Sequence, residues 1–122
     1  MPGTADRGAA VVEFALVLPL VLALVLGVVE VAVVARTQLE LLNAARSGAR
    51  EAAASPDPAD AATAVRSTLG PLAAQARITV RRPAVVGKLA TVIVRLPHRV
   101  AAPLFGGFSV ELWAQAAMRV ER

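Results

Sequence analysis

FALVLPLVLALVLGVV, residues 14–29, sets the architecture of this 122-residue chain. The stretch carries no charge, and the wider run Ala9–Ala35 holds only two ionisable groups, Glu13 and Glu30. At about 1.5 Å per residue a helix over that run spans roughly 40 Å. The hydrocarbon core of a bilayer is about 30 Å thick, so such a helix is long enough to cross it. A water-soluble domain would have to enclose the helix on every side, and 87 residues come after it. The membrane reading is therefore preferred over a buried core helix.

The remainder has the size of one small domain. Cysteine is absent, which excludes disulfides and thiolate chemistry. The formal charge is +4, unevenly distributed: residues 76–122 carry eight basic groups against two acids. Those charges are dispersed through predicted strands. Aromatic residues make up 3 % of the chain, which argues against a stacking platform, so no nucleic-acid partner is expected. A solvated strand face, with at most weak affinity for anionic surfaces, accounts for them.

The leader MPGTADRG, residues 1–8, does not combine with the apolar run into a secretory signal peptide. Arg7 is offset by Asp6, and the apolar run exceeds the 7–15 residues typical of such a signal. The helix is expected to be retained. Counting Lys and Arg near its ends gives Arg7 before it and Arg36, Arg46 and Arg50 after it, which taken alone places the C-terminal domain in the cytoplasm.

Glu13 points the other way. A carboxylate within an apolar segment is costly and implies a partner or a function, although snorkelling to the interface is an alternative. It lies five positions after Gly8. A cut after Gly8 would leave a positively charged amine on Ala9, which Glu13 of an adjacent subunit would neutralise in a low-dielectric medium. This junction resembles the class III signal of type IV pilins and pseudopilins. More narrowly, RGAAVVEFALVLPLVLALVLGVVE, residues 7–30, resembles the amino terminus of the TadE-like family, minor pilin-like proteins of Flp (tight-adherence) pilus systems. The resemblance implies processing at Gly8 and Ala9 by a prepilin peptidase, and a charge-pairing role for Glu13 in assembly. It also implies a cytoplasmic amino terminus with the C-terminal domain outside. One position departs from the family pattern: Glu30 is followed by Val31 rather than by an aromatic residue.

Inside the run, Pro19 removes a backbone donor and predicts a helix kink near residues 16–19. Glu30 sits near the far boundary, where it either snorkels or pairs with another subunit. RTQLELLNAARSGAREAAA, residues 36–54, continues with helical periodicity. Arg36, Glu40, Asn43, Ser47 and Arg50 fall on one face, with Val34, Leu41, Ala45, Ala49 and Ala52 opposite. One helix is expected from about Ala9 to Ala54. Gly48 weakens that expectation slightly.

Asp57 suits an N-cap and Pro58 the first position of a short helix to about Leu69, stopped by Gly70-Pro71. Residues 76–82 alternate, with Ile78 and Val80 inward. Lys88–Leu96 reads as a central strand closed by Pro97, and residues 97–107 as a loop or short turn containing His98. Phe108–Val120 alternates again, with Trp113 on its otherwise polar face, a candidate subunit contact. The expectation is an α+β, pilin-like fold: a long N-terminal transmembrane and amphipathic helix, a second short helix, and a small antiparallel sheet of about three strands. The predicted organisation is a leader (1–8), a transmembrane part (9–35), an amphipathic continuation (36–54) and a small extracytoplasmic domain (55–122). The close, residues 116–121, also resembles TadE-like domains.

No catalytic constellation is present: there is one His, no Cys, and no motif that would activate a Ser. Zinc ligands and a phosphate-binding glycine pattern are missing, so no metal, cofactor or small-molecule substrate is expected. The leading reading is a non-enzymatic structural or assembly subunit of a Flp/Tad-type pilus or related secretion system. Its partners would be a prepilin peptidase, other pilin-like subunits, the assembly machinery and the lipid bilayer. It would sit in the cell membrane as a single-pass protein, or in a surface pilus. The alternative is an uncleaved single-pass membrane protein whose exported domain binds other envelope or secretion components.

Overall fold

The computed structural model describes residues 4–101 and 106–121. The chain is α+β and divides into two units, Met1–Val33 and Val34–Arg122. Its elements, in order, are α1 (Thr4–Ala54), α2 (Pro58–Leu69), a 3₁₀ turn (Gly70–Ala74), β1 (Arg77–Arg81), β2 (Leu89–Val100) and β3 (Phe108–Arg119).

In the first unit the described chain is the amino-terminal part of α1. That helix begins at Thr4, five residues before the expected start at Ala9. Asp6 in its first described turn complements the positive end of the helix dipole. Pro19 lies within α1 without ending it. The large apolar side chains are exposed, from 40 % at Leu18 to 75 % at Leu20, and none of the most apolar window is buried. This helix is therefore not the core helix of a soluble fold formed by this chain alone. It is long and apolar enough to cross a membrane.

The second unit is a three-stranded antiparallel meander in the order β1-β2-β3, with helices on one face. Arg77 of β1 is paired with Arg95 of β2, and Arg81 with Thr91. Leu89 of β2 is paired with Arg119 of β3, and Val100 with Phe108. The inward stripe comprises Ile78 and Val80, then Ala90, Val92, Val94 and Leu96, then Leu112, Ala114 and Ala116. Against it pack Leu41, Ala44, Ala45, Ala49 and Ala52 of α1 and Ala61, Val65 and Leu69 of α2. Fully burying a Val or Leu stabilises by about 1.5–3 kcal/mol. The many alanines add little apolar area each but let the helix backbone lie close to the sheet.

Gly48 explains that closeness. A Cβ built on it would lie 2.5 Å from Val65 Cγ2 and 3.1 Å from Val92 Cγ1. The glycine that weakened the helical pattern in the sequence is the point where α1 touches both α2 and β2.

Local signals fix the short elements. Asp57 caps α2 by accepting a hydrogen bond from Ala59 N at 2.9 Å, and Pro58 occupies the first turn. Gly70, with φ 58°, ends that helix in a backbone conformation that favours glycine. The C-terminal end of α1 is closed from a distance. Its last turn contains no basic residue, yet its last carbonyls, which have no intrahelical donor, find partners elsewhere. Ser55 N donates to Glu51 O at 2.8 Å, Arg82 Nε to Ala52 O at 2.7 Å, and Glu121 N to Ala53 O at 3.0 Å.

Two expectations about β2 need correction. Pro97 does not close the strand, which runs on to Val100, and His98 is a half-buried strand residue paired with Val110 rather than a loop histidine. The reason lies in the ladder. β1 reaches only as far as Arg95, so Pro97 has a strand neighbour on the β3 side alone, and Pro is tolerated at such an edge. Of the expected 97–107 loop, residues 102–105 lie outside the described residues. Gly106 and Gly107 have φ of 78° and 83°, a left-handed turn into β3.

Candidate functional site: the amino-terminal helix

The residues singled out around the apolar run all fall on α1, which provides a regular frame for them. Gly8 and Ala9 lie inside the helix rather than ahead of it. A Cβ added at Gly8 would meet nothing within 4 Å, so packing within this chain does not demand a glycine there. The same holds for Gly27.

Glu13 is exposed on the same helix, four residues after Ala9. Residues i and i+4 are neighbours on one helix face, about 6 Å apart along the axis. Two ion pairs lie in the second unit: Arg36 with Glu40 at 3.2 Å, and Arg95 with Glu111 at 3.8 Å. Glu30 is half-buried between exposed Val29 and Val31.

Pro19 stands six residues after Glu13. Its missing donor leaves the carbonyl of Ala15 without its usual helical partner, a weak point in an otherwise regular ladder. From Ala9 on, the first unit thus presents an apolar surface with Glu13 exposed near its start and Glu30 half-buried near its end. Such a surface can take part in burial against lipid or against like helices. Among the described residues no cluster of His, Cys, Asp and Glu could hold a metal ion.

Trp113 belongs to the second unit. It is 58 % exposed on the side of β3 that faces away from the core. Its backbone carbonyl accepts a hydrogen bond from Gln38 Nε2 at 2.7 Å, so its position is fixed by the C-terminal half of α1 as well as by the strand. Gln38, Leu42, Trp113 and Gln115 line a shallow groove along that edge.

Sequence reasoning did not find the neighbours that the sheet register creates. Arg77 and Arg95 come from strands separated by a long connection, and only the pairing of β1 with β2 sets them side by side. The alternation in β1 and β3 already marked Arg77 and Trp113 as outward. The missing signal was the register, which pattern alone does not specify.

Comparison with known proteins agrees with the family resemblance of the amino-terminal segment. Residues 8–50 match the profile of the family described as TadE-like protein. The match begins at Gly8 and covers the apolar run, Glu13, Pro19 and Glu30. No curated protein and no solved structure matches the chain. The TadE-like family is pilin-like and associated with Tad pili, a structural rather than enzymatic association. Over residues 8–50, which carry the long apolar helix and its amphipathic continuation, the chain is similar to TadE-like proteins.

Proposed function

We propose that the chain is a pilin-like structural or assembly subunit of a Flp/Tad-type pilus or a related secretion system. It is cleaved after Gly8 by a prepilin peptidase and anchored with residues 36–122 outside the cytoplasmic membrane. The observation that carries the reading is the coincidence, on one exposed apolar helix, of the Gly8–Ala9 junction and Glu13 within a TadE-like match that starts at Gly8. Cleavage would place a cationic amine at the head of a helix whose Glu13 is otherwise a cost in hydrocarbon. Pairing Glu13 with that amine on a neighbouring subunit would offset the cost and set the axial register between helices. Pro19 would provide a bend for packing, and Glu30 a second polar contact near the other end of the apolar run.

Intact-mass analysis of the protein from native membranes tests cleavage: residues 1–8 should be missing. A full-length mass overturns processing. Protease added to intact spheroplasts should remove the domain, and protection until lysis overturns the orientation. Glu13→Ala and Glu13→Gln should keep membrane insertion yet fail to co-purify with sheared pili. Normal recovery of both leaves Glu13 without an assembly role.

A second reading has a specific observation in its favour. The Gly8–Ala9 bond lies in helical backbone, because α1 already begins at Thr4. A peptidase would have to unwind it, whereas an uncleaved single-pass protein would keep this helix whole and use the domain to bind other envelope components. The mass measurement separates the two.

A further inference from the structure

We propose that the outer face of the sheet docks on a bilayer surface bearing anionic phospholipid headgroups, with Trp113 seated at the interface. The sheet has helices on one side only, and the other side gathers charge of one sign. Residues that alternate outward from the core are Arg77 and Arg81 on β1, Arg95 and Arg99 on β2, and Arg119 on β3, all exposed. Within the three strands the only acid is Glu111, 3.8 Å from Arg95. Five guanidinium groups thus share one face with one carboxylate.

The register sharpens this imbalance. Arg77 is directly opposite Arg95, and Arg95 is directly opposite Trp113. Facing strands lie about 4.8 Å apart, so the two arginines are immediate neighbours. Like charges in that position destabilise a sheet, and one carboxylate does not neutralise five cations. An external anion would convert this repulsion into attraction.

The apolar groups on the same face narrow the class of anion. Trp113 is 58 % exposed and Leu89, paired with Arg119, equally so. Trp is enriched where hydrocarbon meets headgroups, and Arg binds phosphate groups through paired donors. Each basic residue near an anionic membrane surface adds to an attraction that falls off within a Debye length. A nucleic acid would call for several aromatic platforms, and this face has one. The domain also comes after an apolar helix in the same chain, which would hold it at the bilayer continuously. The inference rests on that membrane-anchored reading and not on cleavage after Gly8.

Trp113 is the sole tryptophan and reports on the face directly. The full chain is incorporated at one copy per nanodisc, either of phosphatidylcholine alone or of equal parts phosphatidylcholine and phosphatidylglycerol. Co-elution with both discs verifies the anchor; failure to incorporate into either breaks the membrane-anchored reading and this inference with it. With incorporation secured, Trp113 emission should shift to the blue and be quenched by brominated lipid in anionic discs, but not in neutral ones. The shift should be lost at about 1 M NaCl, where the Debye length is about 3 Å, and lost in the R77Q/R95Q/R119Q variant. Inorganic phosphate added to neutral discs should leave the emission unchanged. Identical emission in the two discs overturns the proposal. An equal shift with phosphate alone overturns the bilayer as its source. A shift in neutral membranes that grows with the number of copies overturns it in favour of a subunit contact at Trp113.

Discussion

The two units use apolar residues in opposite ways. In the first, Leu, Val and Phe side chains cover the helix on all sides and are left exposed by the chain itself. In the second, much of the buried helix surface is alanine plus Gly48, and the larger Val and Leu side chains come mostly from α2 and the strands. Apolar content alone therefore says little about where a fold has its core. The first unit has a surface to be completed by lipid or by other helices. The second has small residues where two elements of its own meet. One helix, α1, passes from one regime to the other, and the change is written in side-chain size.

That contrast is most vulnerable at Leu41, a fully buried large side chain on the helix. Leu41→Ala should destabilise the domain by about 2–5 kcal/mol through the cavity left behind. Hydrogen exchange of the β2 amides in detergent-solubilised full chain should register it as lost protection. Retained protection would mean that the core does not depend on this helix face.

Gly48→Ala tests whether closeness rather than helix propensity governs the contact. Propensity alone favours alanine by about 1 kcal/mol. The added methyl would strike the short, buried side chain of Val65, and overpacking of this kind costs about 1–3 kcal/mol. A net loss of stability is expected in thermal unfolding of the domain, and a gain would show that α1 has room to withdraw. Asp57→Ala removes the acceptor for Ala59 N and should cost about 1 kcal/mol, with exchange accelerating first in the opening turn of α2.

The finest test is the substitution expected to do least. Leu20→Ala removes more exposed apolar surface than many core changes bury, yet the unfolding of the second unit should move by less than about 0.5 kcal/mol. The same variant should weaken partition of the chain into bilayers. Domain destabilisation comparable to that of Leu41→Ala would erase the distinction between the units.

Much of this division was legible from composition and period. The uncharged run at 14–29, the Asp57-Pro58 start, the Gly70 stop and the alternation in β1 and β3 each have a local cause, so each could be read without neighbours. Three features could not. Gly48 looks like a weak helix residue until Val65 and Val92 are placed against it. Pro97 looks like a terminator until β1 is seen to stop short of it. The partners for the end of α1, Arg82 and Glu121, come from 30 and 68 residues downstream of the carbonyls they bind, and no local pattern carries that information. At the candidate site the balance reverses: Gly8, Glu13 and Pro19 were singled out from the sequence and fall within the stretch that is similar to TadE-like proteins. The helix adds their regular placement and exposure.

The closure of α1 by Glu121 also bears on biosynthesis. The core needs Val120, which is 2 % exposed, and the helix end needs the amide that comes next. A chain emerging amino terminus first delivers its apolar helix long before either arrives. The domain therefore lacks a strand and a helix closure while the anchor is already available to the membrane. In the proposed orientation, insertion would precede folding by the order of synthesis alone, and the segment behind the anchor would be threaded through a translocation channel before it acquires a tertiary structure that would have to be undone.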